Sequence, residues 1–279
     1  MGIGRGWRMV TLLSAVLPAT PLVAPLVAPL VAPLVAPLVA PLVAPLAAQD
    51  VAELTARTDS LLAAARLTDA RATIEQARRV APKDFEVLWR LSRVWNLLGD
   101  QAGDKAGETF YLQARGFADQ AIAANPKTAA GYVRRAASGG KIALFRGTLE
   151  AADLVKTVRD DAQQALKLGD GGAAQQATAH YILGRTHLKL LETPRPLRMP
   201  VGLGWATLGE ATANLRKAVE LRPDFIMFRL DYARALVRDD KPAEARAQLE
   251  AGAKLAVGEF GDEERLKEIA TLLGELRGK

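Results

Sequence analysis

From Val51 onward the apolar residues fall three and four positions apart, the spacing of one helix face, and polar turns interrupt them at regular intervals. Ala70, Ile74 and Ala77 make one such stripe, with Leu54 and Leu61 lining the helix before it. Thr68-Asp69 separates these two helices and is placed to cap the second. Leu88, Leu91 and Trp95 open a second pair, whose first helix is expected to end at Gly99-Asp100. The polar stretch Gln101 to Glu108 then leads into a helix through Ala114, Ala118 and Ala121. A third pair holds Tyr132, the doublet Gly139-Gly140, and a long run with Leu149, Ala152, Val155, Val158, Ala162 and Ala165 inward. A fourth opens at Ala179 and closes at Pro223, interrupted by a Pro- and Gly-rich insertion from Leu191 to Leu208. The fifth spans Ile226 to Leu255, with Pro242 starting its second helix, where a missing N–H is harmless. Asp262 to Leu276 is a final charged helix, with three acids at its N-terminus to suit the helix dipole.

One phrase closes the second helix of a pair: Ala, four variable residues, Pro. It reads Ala77-Arg-Arg-Val-Ala-Pro82, Ala121-Ile-Ala-Ala-Asn-Pro126 and Ala218-Val-Glu-Leu-Arg-Pro223, with a degraded copy in Ala165-Leu-Lys-Leu-Gly-Asp170. Repetition of a helix pair that ends this way is the signature of tetratricopeptide (TPR) repeats. Pro82, Pro126 and Asp170 lie 44 residues apart, against about 34 in the common TPR unit. The expected fold is all-α: a TPR-like right-handed α-solenoid of about five helix pairs. The last helix would give it the polar-faced end a solenoid needs.

Residues 1–48 are different. Arg5 and Arg8 precede a stretch, Met9 to Ala48, with no charge at all. This reads as a secretory signal, with cleavage after Leu46-Ala47-Ala48, leaving residues 49–279 as the repeat domain. Within it Pro-Leu-Val-Ala runs six times from Pro21, followed by Pro-Leu-Ala-Ala at Pro45. Each Pro lacks an N–H and crowds the preceding turn, so the tract is expected to be extended rather than a membrane-spanning helix. The localisation expected is periplasmic or secreted.

Composition removes several function classes. Setting aside Arg5 and Arg8, the 37 basic and 31 acidic residues leave an excess of only four, too weak and dispersed to imply nucleic acid. With no cysteine there is no disulfide, thiol nucleophile, Cys-based metal site or lipidation Cys. The two histidines, His180 and His187, stand seven apart, whereas helical zinc pairs sit at i and i+4; both fall at core or helix-pair positions, and no metal is expected. Gly202-Leu-Gly204 precedes a helix without a strand or a phosphate-loop lysine and reads as plain loop. No nucleophile–base pair or carboxylate constellation stands out; Asp160-Asp161 and Asp239-Asp240 read as solvated ends and turns. Neither an enzyme nor a cofactor is expected.

The third to fifth repeats resemble the TPR-like region of the regulator of microtubule dynamics family. The resemblance is carried by the lengthened third repeat around Phe145-Arg-Gly147 and Val155-Lys156, and by His180-Tyr-Ile-Leu-Gly-Arg185. The long loop before Glu210-Ala211 and the closing Gly261-Asp-Glu-Glu264 helix also fit. It implies the fold and a binding role. Eukaryotic members are membrane-anchored adaptors, some associated with microtubules or lipids. The secretory signal read here departs from them, and the microtubule role is not carried over.

In TPR arrays the first helix of each pair lines a concave groove. Aligning the repeats on their Leu-Gly and Ala-to-Pro landmarks places Trp89, Arg93 and Asn96 there from the second pair, and Lys141 from the third. The fourth offers Tyr181, Arg185 and Lys189; the fifth offers Leu230, Arg234 and Arg238. Converging Arg could fork onto a carboxylate or phosphate. The groove would then take a protein or peptide partner, acidic or with a C-terminal carboxylate, or alternatively an anionic lipid headgroup. Against this, the same cations could be solvated or paired with acids of neighbouring repeats. The insertion adds a second surface: Leu197, Met199, Val201, Leu203 and Trp205 either fold back over the core or meet a membrane or partner.

Overall fold

The computed structural model describes residues 36–147 and 149–277. Residues 42–279 form one compact unit, which carries the repeats. Twelve helices and no strand occur among the described residues.

The pairs are α1 (Ala36–Ala63) with α2 (Leu67–Val80), α3 (Phe85–Ala102) with α4 (Asp104–Ala124), and α5 (Ala129–Arg146) with α6 (Ala152–Leu168). α7 (Gly172–Leu190) pairs with α9 (Leu208–Leu221) across an insertion holding the four-residue α8 (Arg195–Arg198). α10 (Ile226–Arg238) pairs with α11 (Pro242–Ala253), and α12 (Asp262–Leu276) closes the array. From α3 onward each long helix packs on the next, and first helices also touch the first helices of neighbouring pairs. That is the all-α TPR-type solenoid of five pairs and a cap.

The Ala-to-Pro phrase has a physical basis. Ala77, Ala121 and Ala218 are fully buried, and each carbonyl takes the N–H of the residue just before the proline. Those residues, Ala81, Asn125 and Arg222, have left the helix, at φ −137, −146 and −137°. The degraded copy makes the same bond, from Gly169 to Ala165, but turns at φ +72°, which glycine adopts without strain. Its Asp170 reaches across to the start of α5, accepting the N–H of Ala129 at 2.7 Å. Gly184 shows why a pair needs a small residue at its crossing. A Cβ there would lie 2.6 Å from Leu215 Cγ and 2.9 Å from the Leu215 backbone N.

Several boundaries differ from those read in the sequence. The tract from Ala36 to Ala48 is helical, not extended, and forms the first part of α1; the earlier copies lie outside the described residues. Proline's fixed φ is a helical value, and the Leu, Val and Ala between prolines keep their N–H groups, so only one bond in four is lost. Among the described residues no helix is long and apolar enough to cross a membrane. Thr68-Asp69 lie inside α2, where Asp69 instead accepts from Arg66 at 2.8 Å. α3 does not stop at Gly99-Asp100: Gly99 is buried against Tyr111, and Gly103 at φ +61° ends the helix. α5 runs unbroken through Gly139-Gly140, and Leu149, expected inward, is exposed before α6 begins.

Candidate functional site

A cavity of about 570 Å³ lies along the first helices of the array. α3, α5, α7 and α10 supply most of its wall, and α12 and the loop before it close one end; among the described residues, α4, α9 and α11 contribute nothing. Spacing explains this. Trp89, Arg93, Asn96 and Asp100 recur at four, three and four along α3, and Thr178, Tyr181 and Arg185 at three and four along α7, so each set shares one face. The lining is mixed: apolar side chains such as Leu97, Ile182 and Phe228 stand among eight basic and five acidic residues.

Of the residues expected to face a groove, Trp89, Arg93, Asn96 and Lys141 line this cavity, as do Tyr181, Arg185, Lys189, Leu230 and Arg234. Arg238 does not; it turns aside and donates to the Leu191 carbonyl at 2.6 Å. Most of the cations already have partners. Arg185, Arg234 and the Tyr181 hydroxyl all donate to Asp231, which is 2 % exposed; the Tyr181 and Arg234 bonds are each 2.7 Å. Arg234 also reaches Glu268 of α12. Burial pushes the Asp231 carboxyl up, but Arg185, Tyr181 and Arg234 outweigh it and hold it below the usual carboxylate range. Burial likewise raises the Tyr181 hydroxyl, which therefore stays protonated as a donor. This network stitches α7, α10 and α12 together.

The rest of the lining is paired less completely. Arg93 donates to Glu259 of the loop before α12 at 2.9 Å, and stands 3.7 Å from Asp59 of α1. Lys141 pairs with Asp100, which also accepts from the Tyr111 hydroxyl at 2.6 Å. Lys189 pairs with Glu192 at the end of α7. Trp89 is held at the rim, its Nε1 donating to Glu86 at 2.9 Å and the Arg90 guanidinium over its ring. Four lining side chains keep buried polar atoms with no hydrogen-bond partner among the described residues. They are both amide atoms of Asn96, Nε of Arg134, Oε1 of Gln175 and Oδ1 of Asp59. Arg134 makes no salt bridge there either; burial, with Arg93's like charge, lowers its pKa to about 10 against the pull of Glu259 and Asp59, so it remains a cation.

Arg134, Gln175 and Asp231 were not among the residues read from the sequence. Arg134 sits seven residues before Lys141 on the same helix, the same-face spacing that could have found it. Asp231 stands on an apolar helix, where a carboxylate must have partners, yet its partner on α7 is 46 residues away in sequence.

The two histidines serve structure. His180 Nδ1 meets Asn214 at 2.9 Å across α7 and α9, and His187, buried under the edge of Trp205, accepts the Thr207 N–H at 3.2 Å. The insertion does fold back. Leu203 and Ala206 are buried against Ala143, Ala152 and Leu190, and the buried Arg198 ties the loop by donating to the Leu203 and Ala206 carbonyls. Leu197 and Met199 remain more than half exposed on its outer side.

The family of regulator of microtubule dynamics protein 1-3 matches residues 54–277, the whole of the array from within α1 to the end of α12. The chain belongs to this family. No curated protein matches it. Among solved structures it is similar to TTC0263, a thermophilic TPR protein of Thermus thermophilus. They share 19 % identity over 79 % of this chain and 99 % of that one, at a TM-score of 0.58. It is also similar to MamA 41-end from Desulfovibrio magneticus RS-1, at 17 % identity over 74 % and 94 % of the two chains and a TM-score of 0.42. The first likeness shows a shared TPR fold.

Proposed function

We propose that this protein is a protein-interaction adaptor that receives a peptide or protein segment in the cavity along α3, α5, α7 and α10. The observation that carries the reading is that cavity itself: about 570 Å³, continuous across four repeats, apolar between polar groups. A surface of that kind suits a partner with both main-chain and side-chain groups to bury. In keeping with the charge-free stretch behind Arg5 and Arg8, the adaptor works outside the cytoplasm, periplasmic or secreted.

Reversing the charges of Arg93, Arg185 and Arg234 would be a poor test, because it would break the Asp231 network. Gly140 offers a cleaner one. It lines the cavity, and a Cβ built there meets nothing within 4 Å. Gly140→Leu should fill the groove and, by removing a mid-helix glycine, leave the fold as stable or more so. Protein captured from the native host with wild type and Gly140→Leu, analysed for polypeptides and lipids, tests the reading. A polypeptide partner lost in the variant is expected. Partners unchanged by Gly140→Leu, or lipid alone in the wild type, would overturn it.

A further inference from the structure

A solenoid is joined neighbour to neighbour, so its second repeat and its cap have no packing reason to meet. Here α3 packs on α2, α4 and α5, and α12 on α10 and α11. Yet Arg93 of α3 donates to Glu259, in the loop before α12, at 2.9 Å across 166 residues. Among the described residues this is the one hydrogen bond between α1–α3 and anything beyond α11. Both side chains line the cavity, so the bond spans it from one end of the array to the other.

Each half of the contact is prepared. On the cap side, buried Asp262 accepts the N–H groups of Gly258 and Glu259 at 3.1 and 2.9 Å, and Arg265 donates to the Phe260 carbonyl at 2.9 Å. These bonds fix residues 258–261 to the first turn of α12 and hold Glu259 out from it. Between them and α11, Ala256 and Val257 donate no backbone hydrogen bond among the described residues. On the α3 side, Asp59 stands 3.7 Å from Arg93, and Arg134 lies close enough to feel the charges of Arg93, Glu259 and Asp59. With Glu259 in place the cluster holds two cations and two carboxylates; without it, two cations share Asp59, which favours the closed contact. Arg93 and Glu259 are nonetheless 25 and 26 % exposed, where an ion pair is weak and yields to salt. We propose that Glu259 is a latch: its bond to Arg93 draws the cap onto α3 and closes the cavity, and its release lets the two ends of the array part and admits whatever binds there.

The test needs no partner, and the absence of cysteine from the chain makes it clean. Gly140→Cys puts one thiol in the cavity, and Gly116→Cys puts one on α4, outside it. Each is reacted in the full-length protein with N-ethylmaleimide and with the bulkier fluorescein maleimide, and the ratio of the two rates removes the thiol's own reactivity. At Gly140→Cys the bulky-to-small ratio should rise about two- to fivefold when Glu259→Gln is added, and at Gly116→Cys it should not change. Wild-type Glu259 in about 1 M salt, where screening acts within about 3 Å, should approach the Glu259→Gln ratio, and Glu259→Gln itself should respond little. Spin labels at Ala56→Cys and Glu263→Cys, both exposed, read the separation of α1 from α12. The distance distribution should be narrow in low salt and should lengthen with Glu259→Gln or with salt. The salt titration of the protein with Glu259 intact keeps the proposal testable whatever Glu259→Gln does to folding. A ratio or a distance unmoved by both Glu259→Gln and salt would overturn the latch, as would an equal salt response with and without Glu259.

Discussion

Two walls of one groove, built from the same repeat, are finished differently. On the α7–α10 side, Asp231 is buried and both its carboxylate oxygens are engaged: Tyr181, Arg185 and Arg234 converge on it, and Glu268 takes the other arm of Arg234. On the α3–α5 side, Asn96 and Arg134 are also buried in part, but their polar atoms find no partner among the described residues. A buried charge is tolerated when paired, so the first wall is a structural joint between three helices. The second carries a cost that packing does not repay, the usual mark of a surface kept for something else. Two of the three arginines at recurring repeat positions therefore belong to a stitch, and Arg134, outside that alignment, is the one arginine lining the cavity without a salt bridge among the described residues.

Breaking the finished wall should have the largest effect. Asp231→Ala strands Arg185 and Arg234 and is expected to cost about 3–5 kcal/mol in denaturant unfolding. A loss below about 1 kcal/mol would mean the network behaves as a surface pair. The pH dependence follows from the depressed carboxyl. Its folded-state pKa lies below the unfolded value of about 3.9, so its stabilisation is complete above that pH. It disappears as pH falls through the folded value, and wild type and Asp231→Ala should converge only in that acid range.

Close packing under the joint comes next. Gly184→Ala places a Cβ against the Leu215 backbone and should cost about 1–3 kcal/mol, because backbone atoms cannot give way as a flexible side chain does. The insertion behind the groove has its own sensitivity. Burial, with Arg159 and Arg198, lowers the His187 pKa against the pull of Glu210, and its Nδ1 must stay unprotonated to accept from Thr207. Its contribution is thus complete above the unfolded value of about 6.5 and is lost as pH falls below it toward the folded one. Trp205 emission should shift over that interval, and His187→Gln should abolish the shift; an identical titration in the variant would contradict this.

The unfinished wall predicts the opposite sign. Asn96→Leu removes two unpartnered buried atoms and should leave the fold unchanged or more stable, by up to about 1 kcal/mol in thermal unfolding. A loss of about 2 kcal/mol or more would show Asn96 to be part of the joint.

How much of this could be read in advance depends on range. Helix faces are local, and Ala70, Ile74 and Ala77 or Val155, Val158 and Ala162 were legible from spacing alone; so were the bounds Pro242 and Asp262–Leu276. Turn chemistry was less so. Gly99, Gly139 and Gly140 resemble breaks, yet Gly99 and Gly139 are close-approach sites, where Tyr111 and Val158 fill the room a side chain would take. The groove-facing set was legible as a face, because repeats put equivalent residues at equivalent places. Which of those residues were spent on ion pairs was not, since Arg93 meets Glu259 across 166 residues and Arg185 meets Asp231 across 46.

Site-specific photo-crosslinking tests the central claim, that a polypeptide occupies the groove, most directly. Gly140 in the cavity and Gly116 on α4 are both helical positions where a Cβ meets nothing within 4 Å, so a benzoylphenylalanine fits at either. With the full-length protein in its native host, Gly140 should yield a defined polypeptide adduct that Gly116 does not. Equal adducts from both positions, or lipid adducts alone at Gly140, would contradict the account.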